Sequence, residues 1–272
     1  MSRAAANAKL NLALVVGPRR ADGRHEVATV LQRLELADRI ALEPAPELCV
    51  DGFPEDMLVR RALEALAAAA GVEPRWKATI DKEIPVAAGL GGGSSDAATA
   101  LRLANEMLDE PLPETALHGL AAGLGADVPF FLASGPQLGE GAGDELTAHE
   151  LPQDYRVVLV LPHGAGKVST AAVYQAFDER GGERGYGERR LRLAEALANV
   201  HEPRDLAALP PNDLALSPLA VELLAHGAFR ADVTGAGPAV YGLFEQREPA
   251  LAAERELRRH GQTWVTATAW YG

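Results

Sequence analysis

The sequence predicts an α+β protein whose chain divides into two domains. Strand-like and helix-like segments occur in mixed order, and each half of the chain contains enough of both for two packed layers. A polar, proline-containing stretch at residues 152–154 separates the halves. The length of 272 residues suits two ordinary domains. We therefore predict one domain at residues 1–153 and a second at residues 154–272.

In the first domain, short apolar or alternating runs predict strands, and apolar residues at helical spacing predict helices. Residues 57–70 show the helical spacing clearly, and Gly71 follows as a typical helix end. Residues 27–36 fit either a helix or a strand, and residues 19–25 fit a charged loop with a turn at Asp22-Gly23. The predicted strands are 10–16, 39–43, 48–50, 76–80, 128–133 and 145–149, and the predicted helices are 57–70, 96–108 and 114–124.

The second domain begins with an apolar run at residues 156–161 that is typical of a buried strand. Residues 181–187 are polar, rich in glycine and without periodicity, which indicates a mobile loop. The other predicted strands are 231–234, 239–244 and 263–270, and the predicted helices are 170–177, 189–200, 218–226 and 248–259.

Composition and charge exclude several classes of protein. Hydrophobic residues make up 47% of the chain and charged residues 24%, which excludes a disordered chain. No apolar run is long enough to span a membrane, and residues 1–10 lack the apolar core of a secretory signal. The net charge of −12 is opposite in sign to that expected of a protein that neutralises nucleic-acid phosphates. Cys49 is the only cysteine, so no disulfide forms within the chain and a cytoplasmic location is expected.

The strongest functional pattern is a glycine-rich segment at residues 85–95 that runs directly into a predicted helix. The glycines within residues 89–93 allow positive φ angles, so that backbone N–H groups can converge on an anion at the positive end of the helix dipole. A flexible linker or a simple helix start is the alternative, but the apolar flanks of the segment favour a phosphate site. The candidate phosphate-binding residues are Pro85, Val86, Ala87, Ala88, Gly89, Leu90, Gly91, Gly92, Gly93, Ser94 and Ser95.

Three polar side chains in two other segments are candidates for chemistry. Asp127 stands between a turn of small residues and an apolar run, where a carboxylate either serves a reaction or caps a turn. Lys9 and Asn11 would share one face of a strand, as alternate residues do. A lone lysine on a strand is commonly a solvated edge charge. Lys9 and Asp127 therefore gain functional meaning only if the fold brings them together.

Two further segments each allow a structural and a functional interpretation. His25 follows a turn and is either a ligand contact or a solvated loop residue. The segment at residues 234–238 is a tight hairpin turn or a backbone surface that presents Gly235 and Gly237 to a substrate.

The seven histidines are scattered without metal-ligand spacing, so no metal ligand is predicted. The glycine-rich segment also lacks the Gly-Lys-Ser/Thr of a Walker A loop and the spacing of a dinucleotide fingerprint.

These segments together resemble the GHMP kinases, a family of small-molecule kinases. Residues 85–91 are similar to the phosphate loop of the family, and residues 234–238 are similar to its C-terminal glycine motif. Within the family, the similarity is greatest to members that phosphorylate a cytidine diphosphate-linked methylerythritol. The residues that carry this similarity are 8–12, Asp22, Gly23, His25, 89–95, 125–129, Ser169, Thr170, Tyr174 and 212–214. The resemblance implies an N-terminal half like domain 2 of ribosomal protein S5, a ferredoxin-like C-terminal half, and an active site in the cleft between them.

The resemblance also implies a reaction. The γ-phosphoryl group of ATP would pass to the 2-hydroxyl of that substrate in the non-mevalonate isoprenoid pathway, with ATP and Mg²⁺ as cofactors. Asp127 would accept or orient the hydroxyl proton, and Lys9 would stabilise the incipient alkoxide. Asn11 and His25 would hydrogen-bond the acceptor, and Tyr174 would stack on its cytosine.

Two positions depart from the family pattern, and two alternatives stay open. Met57 stands where the family tends to have an asparagine, a difference that bears on how adenine is recognised. Arg24 stands where the family usually has a tyrosine that stacks on the base, a contact that a guanidinium also makes. The expected partner is a small-molecule substrate, without nucleic acid or membrane, and the expected state is a monomer or weak homodimer. The alternatives are another GHMP kinase, of the homoserine or mevalonate type, and a binding scaffold without activity, since such domains resemble ribosomal RNA-binding modules.

Overall fold

The computed structural model describes residues 1–53, 57–165 and 169–270, whose strands form two sheets. The strands of the first sheet are β1 (Ser2–Arg19), β2 (His25–Pro44), β3 (Cys49–Asp51), β4 (Trp76–Asp81), β5 (Gln137–Glu140) and β6 (Glu145–Ala148). Those of the second are β7 (Arg156–Pro162), β8 (Arg230–Val233), β9 (Val240–Phe244) and β10 (Gly261–Ala267). The helices are α1 (Met57–Ala70), α2 (Gly92–Asn105), α3 (Glu114–Leu124), α4 (Thr170–Glu179), α5 (Tyr186–Ala198), α6 (Pro218–Ala225) and α7 (Arg247–Leu257). Short 3₁₀ helices lie at Pro129–Phe131, Pro203–Ala208 and Arg258–His260.

The first sheet is built on a long antiparallel hairpin of β1 and β2. Its hydrogen-bonded order is β3-β4-β2-β5-β6, with β1 paired to β2 outside this path. The pair of β3 and β4 is parallel, and the other pairs of this sheet are antiparallel. Helices α1, α2 and α3 bury their apolar faces against the sheet in a core that includes Leu63, Leu101 and Phe130.

The second sheet has the order β10-β7-β9-β8 and is antiparallel throughout. Helices connect β7 to β8 and β9 to β10, whereas a tight turn joins β8 directly to β9. This order and these connections are those of a ferredoxin-like fold. Helices α6 and α7 cover one face of the sheet through buried residues such as Leu223 and Leu257. The prediction of a two-domain α+β fold with a ferredoxin-like C-terminal half is confirmed.

Strand β1 connects the two halves of the molecule. Leu10 and Leu12 are buried in one core together with Tyr241 of β9, whose hydroxyl donates to the Leu12 carbonyl at 3.1 Å. Because successive side chains of a strand point to opposite faces, Lys9 and Asn11 project away from this core. The division of the chain between residues 153 and 154 stays a prediction; it falls in the segment between β6 and β7.

Several element predictions are confirmed because their signals are local. Helices α1 and α3 begin and end at the predicted residues, since apolar spacing and end signals lie within each helix. Residues 27–36 belong to β2, so the strand is the right one of the two alternatives. The charged segment after β1 is a turn, in which Gly23 has a φ of 83°.

Other element predictions are wrong or incomplete. Helix α2 begins at Gly92 rather than at residue 96, because Gly91 takes a φ of 72° at the N-cap and starts the helix inside the glycine run. The predicted strand at 128–133 is a 3₁₀ helix at Pro129–Phe131, whose apolar residues pack inward. Strand β5 was not predicted, since Gln137–Glu140 is polar and contains a glycine.

Residues 181–187 also differ from the predicted mobile loop. Residues 181–185 form turns and α5 begins at Tyr186. The Arg189 guanidinium donates to the Gly182 carbonyl at 2.8 Å and to the Val16 carbonyl at 2.9 Å, which ties the segment to β1. Polar composition alone did not reveal these long-range hydrogen bonds.

Candidate active site

A cleft of about 590 Å³ lies between the two halves and collects most of the predicted site residues. A second cleft, of about 260 Å³, lies beside it and shares Ala87, Gly89, Gly91 and Ser94 with the first. The predicted residues that line the larger cleft are Lys9, Asn11, Arg24, His25, Ala87, Gly89, Gly91, Ser94, Asp127, Tyr174, Gly235 and Gly237. Those that line the smaller one are Pro85, Val86, Ala87, Ala88, Gly89, Leu90, Gly91, Gly92, Gly93 and Ser94. Ser95 is buried in the first turn of α2 and lines neither cleft.

The glycine-rich segment separates the two clefts and is held from both sides. The Lys9 N–H donates to the Leu90 carbonyl at 2.9 Å, and the Ala239 N–H donates to the Ala88 carbonyl at 3.1 Å. Gly89 has a φ of 84°, and a Cβ there would lie 2.3 Å from the Thr234 carbonyl oxygen. Only glycine fits this position, because both the backbone conformation and the space exclude a side chain.

We expect Gly89→Ala to destabilise the protein and to lower its activity together. The positive φ alone costs about 1–3 kcal/mol for a residue with a Cβ, and the contact with the Thr234 carbonyl adds to that cost. Gly71→Ala is the matched control, since Gly71 has a φ of 68° but nothing within 4 Å of its Cβ position. In urea unfolding, Gly89→Ala should lower the free energy of unfolding more than Gly71→Ala does. Equal decreases would contradict the close approach of Gly89 to the Thr234 carbonyl.

Lys9 and Asp127 meet at the floor of the larger cleft. The two charged atoms, Lys9 Nζ and Asp127 Oδ2, are 3.7 Å apart, with the lysine side chain 4% exposed and the aspartate side chain 44% exposed. Lys9 Nζ also donates to Asn11 Oδ1 at 2.6 Å, and Asn11 Nδ2 donates to Thr29 Oγ1 at 2.8 Å. Lys9 is therefore a buried, oriented ammonium and not the solvated edge charge of the alternative interpretation.

The turn between β8 and β9 faces the same point from the second half. Gly235 has a φ of 58°, and its Cβ position is 3.4 Å from Lys9 Nζ. Thr234 Oγ1 accepts from the Asn11 N–H at 3.1 Å and donates to the Gly89 carbonyl at 3.3 Å. Asn212 Nδ2 donates to the Gly235 carbonyl at 2.7 Å. The turn is thus both a hairpin turn and a surface of the cleft, and Thr234 is a contact that the sequence did not single out.

An aromatic group lines the same cleft near Asp127. The His25 ring is stacked on Tyr174 with ring centroids 4.8 Å apart and lies edge-on to Phe177 at 6.1 Å. His25 Nε2 is 2.7 Å from Asp178 Oδ1, so the histidine is buried and hydrogen-bonded rather than solvated. Burial and the nearby Asp127 carboxylate raise the pKa of Tyr174 to about 12, which keeps its hydroxyl protonated at neutral pH.

Arg24 lies at the mouth of this cleft. Its guanidinium pairs with Asp22 at 3.0 Å and with Asp144 at 3.1 Å, so two carboxylates from different turns orient it. The side chain stays about half exposed. Its predicted stacking on a base stays a prediction.

A buried ion cluster beneath the smaller cleft was missed by the sequence reasoning. Lys82 Nζ is 2.5 Å from Asp38 and 2.7 Å from Asp96, and both carboxylates are fully buried. Asp38 Oδ1 also accepts from the N–H groups of Glu83 and Ile84 at 2.6 and 2.7 Å. Burial lowers the pKa of Lys82, but the two carboxylates outweigh that effect and raise it above its ordinary value. The cluster anchors both ends of the glycine-rich segment, and no local pattern links its three residues.

Comparisons with known proteins match both halves of the chain to one family. Residues 57–135 match the GHMP kinases N terminal domain, and residues 188–263 match the GHMP kinases C terminal domain. Solved structures of a homoserine kinase from Cytophaga hutchinsonii and a mevalonate kinase from Methanococcus jannaschii are 16% and 12% identical, with TM-scores of 0.74 and 0.76. The matches cover 99% and 98% of this chain, and 95% and 98% of the homoserine kinase and mevalonate kinase chains. At this low identity they show the fold alone.

In the described part of the chain, no helix is both long and apolar enough to cross a membrane.

Relatives with higher sequence identity show which branch of the GHMP kinases this chain belongs to. The 4-diphosphocytidyl-2-C-methyl-D-erythritol kinases of Geobacter sulfurreducens and Desulfitobacterium hafniense are both 38% identical to this chain, over 96% and 97% of its length and 96% and 94% of their own. A crystal structure of 4-(cytidine 5'-diphospho)-2C-methyl-D-erythritol kinase is 32% identical, with a TM-score of 0.80, over 98% of this chain and 99% of that one. The chain belongs to the 4-diphosphocytidyl-2-C-methyl-D-erythritol kinase family of GHMP kinases.

Proposed function

We propose that this protein transfers the γ-phosphoryl group of ATP to the 2-hydroxyl of 4-diphosphocytidyl-2-C-methyl-D-erythritol, a step of the non-mevalonate isoprenoid pathway. One observation carries the proposal: Lys9, Asp127 and the glycine-rich segment line the same cleft as the stacked rings of His25 and Tyr174. Lys9, Asp127 and the glycine-rich segment suit phosphoryl transfer, and the two rings suit contact with a planar base on the acceptor.

The two clefts suggest how the substrates are arranged. The smaller cleft, with Phe53 and Leu58 in its wall, would take the nucleoside of ATP, and the larger would take the acceptor. The phosphates would lie over the residues that both clefts share, at the N-terminal end of α2. Free N–H groups and the positive helix end favour anions there.

Asp127 and Lys9 would act on the acceptor hydroxyl. Asp127 is open to the cleft and would orient the hydroxyl and accept its proton as the oxygen attacks phosphorus. Lys9, held by Asn11, would stabilise the negative charge that grows on that oxygen and on the transferred group. The burial of Lys9 and its hydrogen bond to Asn11 fix the position of the ammonium, as this role requires.

The net charge of −12 does not exclude a diphosphate ligand. The cations that line the larger cleft, Lys9, Arg19 and Arg24, are each paired with a carboxylate. Backbone N–H groups and the positive end of the helix would therefore provide most of the attraction for the anion. Gly235 and Gly237 would let the acceptor approach the backbone closely.

Magnesium would bind together with the phosphates. No group of three or more His, Cys, Asp or Glu side chains placed to hold a metal occurs among the described residues. Magnesium at phosphate sites commonly takes only one or two protein oxygens, so the hydroxyl of Ser94, which lines both clefts, fits as a protein ligand. When bound, the ion would neutralise phosphate charge.

A cytoplasmic location and a monomeric or weakly dimeric state stay predictions.

We expect His25→Ala to raise KM for the acceptor about 10- to 100-fold and to leave KM for ATP nearly unchanged. The variant removes a base contact at one end of the cleft and leaves the glycine-rich segment intact. His118→Ala on α3 is the control, since His118 lines neither cleft. An unchanged acceptor KM would mean that His25 does not touch the base.

The proposed function is tested by ADP release with Mg-ATP and three acceptors: diphosphocytidyl methylerythritol, homoserine and mevalonate. Turnover with the cytidyl acceptor and not with the others is expected. Turnover with homoserine or mevalonate alone would keep the kinase chemistry and overturn the proposed acceptor. Turnover with none of the three would favour the binding scaffold.

A further inference from the structure

A buried amide side chain holds the turn between β8 and β9 from behind. Asn212 Nδ2 donates to the Val233 carbonyl at 2.9 Å and to the Gly235 carbonyl at 2.7 Å. Asn212 Oδ1 accepts from the Leu214 N–H at 2.8 Å, so the donors and the acceptor of this side chain are all engaged. Asn212 is buried and lines neither cleft, whereas Gly235 lines the larger one. The amide therefore grips the turn from the side away from the cleft.

The hydrogen bond from Asn212 orients the peptide unit that joins Gly235 to Ala236. This peptide is trans, and the C=O and N–H of a trans peptide point in opposite directions. Since the Gly235 carbonyl points to Asn212, the Ala236 N–H points to the other side, which is the larger cleft. Within residues 1–53, 57–165 and 169–270, this N–H has no hydrogen-bond partner. The turn thus presents a free backbone donor to the cleft.

This donor lies beside the residues that would act on the acceptor hydroxyl. The Cβ position of Gly235 is 3.4 Å from Lys9 Nζ and 3.3 Å from Asn11 Oδ1. Lys9 Nζ is in turn 3.7 Å from the Asp127 carboxylate. During phosphoryl transfer, negative charge is spread over the oxygens of the transferred group. A fixed N–H close to Lys9 is therefore placed to stabilise that charge.

We propose that Asn212 is a positioning residue that fixes the Gly235–Ala236 peptide, so that the Ala236 N–H donates to an oxygen of the phosphoryl group as it is transferred. This inference rests on the proposed function and adds a donor and its support to it. Asn212 does not touch the substrate; it acts through the peptide. A donor that is oriented before the reaction stabilises the transition state without having to reorganise.

The conformation of Gly235 explains why the peptide needs this support. Gly235 has a φ of 58°, and a glycine passes readily between positive and negative φ because it has no Cβ. In the described part of the chain, Asn212 is the sole hydrogen-bond donor to the Gly235 carbonyl. Without the amide, the peptide is free to rotate and to turn its carbonyl oxygen toward the cleft. An oxygen at that place repels the phosphoryl group that the N–H would attract.

The kinetic experiment compares Asn212→Ala with Asn105→Ala. Asn105 is the matched control, because it is also buried, lines neither cleft and bonds the Leu112 carbonyl at 3.0 Å and the Leu112 N–H at 2.8 Å. We expect both variants to lower the unfolding midpoint, since each leaves backbone groups without their partner. Only Asn212→Ala should lower kcat, at least about tenfold, while KM for ATP and for the acceptor stays within about twofold.

Two results of this comparison would overturn the proposal. An unchanged kcat in Asn212→Ala would show that the peptide does not need the amide. An equal fall of kcat in both variants would show that any loss of stability lowers activity. Turnover of the wild type with the cytidyl acceptor in the same assay keeps either result separate from a failure of the proposed function.

A backbone substitution tests the donor itself. Lactic acid incorporated in place of Ala236 turns the amide into an ester, which removes the N–H and leaves Asn212 in place. We expect kcat to fall about 10²- to 10³-fold, the loss found when one donor to a developing negative charge is removed. In the ester protein, Asn212→Ala should lower kcat no further, because both changes remove the same interaction. Losses that multiply would overturn the positioning role, and an unchanged kcat in the ester protein would overturn the role of the N–H.

Discussion

Asp127→Asn is expected to lower kcat about 10²- to 10⁴-fold while KM for ATP changes little, because the lost group acts on the hydroxyl proton in the transition state. The amide has the same shape, and the side chain is 44% exposed, so the fold should be retained. Steady-state ADP release with Mg-ATP and the cytidyl acceptor gives both constants.

A matched control exists on the surface. Asp51 pairs with Lys77 at 3.2 Å; both side chains are about half exposed, and neither lines a cleft. Asp51→Asn should therefore leave kcat unchanged. If Asp127→Asn weakened ATP binding and left kcat intact, Asp127 would have to be reassigned from the reaction to nucleotide binding.

Lys9→Met is expected to lower kcat about 10²- to 10³-fold, the loss seen when one group that stabilises transition-state charge is removed. Methionine keeps the apolar stem that packs beside Gly91, where a Cβ would lie 2.9 Å from Lys9 Cγ. The unfolding midpoint should thus change less than the activity. Lys77→Met provides the control, since Lys77 carries the same charge at the surface.

The double variant Lys9→Met with Asp127→Asn separates a joint role from two independent ones. Residues that act together on the same atoms show losses that do not multiply. The charged atoms of Lys9 and Asp127 are 3.7 Å apart. We therefore expect the fold decrease in kcat of the double variant to be much smaller than the product of the two single fold decreases. Fully multiplicative losses would show that the two side chains act at different steps.

The local elements of this fold could be predicted, and so could most of the residues of the candidate site. The bounds of α1 and α3 follow from apolar spacing within each helix. The glycine-rich segment was visible because glycines next to a helix start are a local signal for an anion site. The start of α2 was placed too late, since glycine has a low helix propensity and its role at the N-cap depends on contacts beyond the segment.

The sequence by itself determined the class of fold and the candidate phosphate-binding segment, because their signals lie in residues close together in the chain. Only the tertiary structure decided that Lys9 faces Asp127, that Lys82 joins Asp38 to Asp96, and that Asp178 holds His25. Each of these pairs spans elements distant in sequence, and burial makes their contacts specific. Hydrophobic periodicity indicates which face of a helix or strand is buried. Which residues pack against that face depends on how the two sheets and their helices pack together.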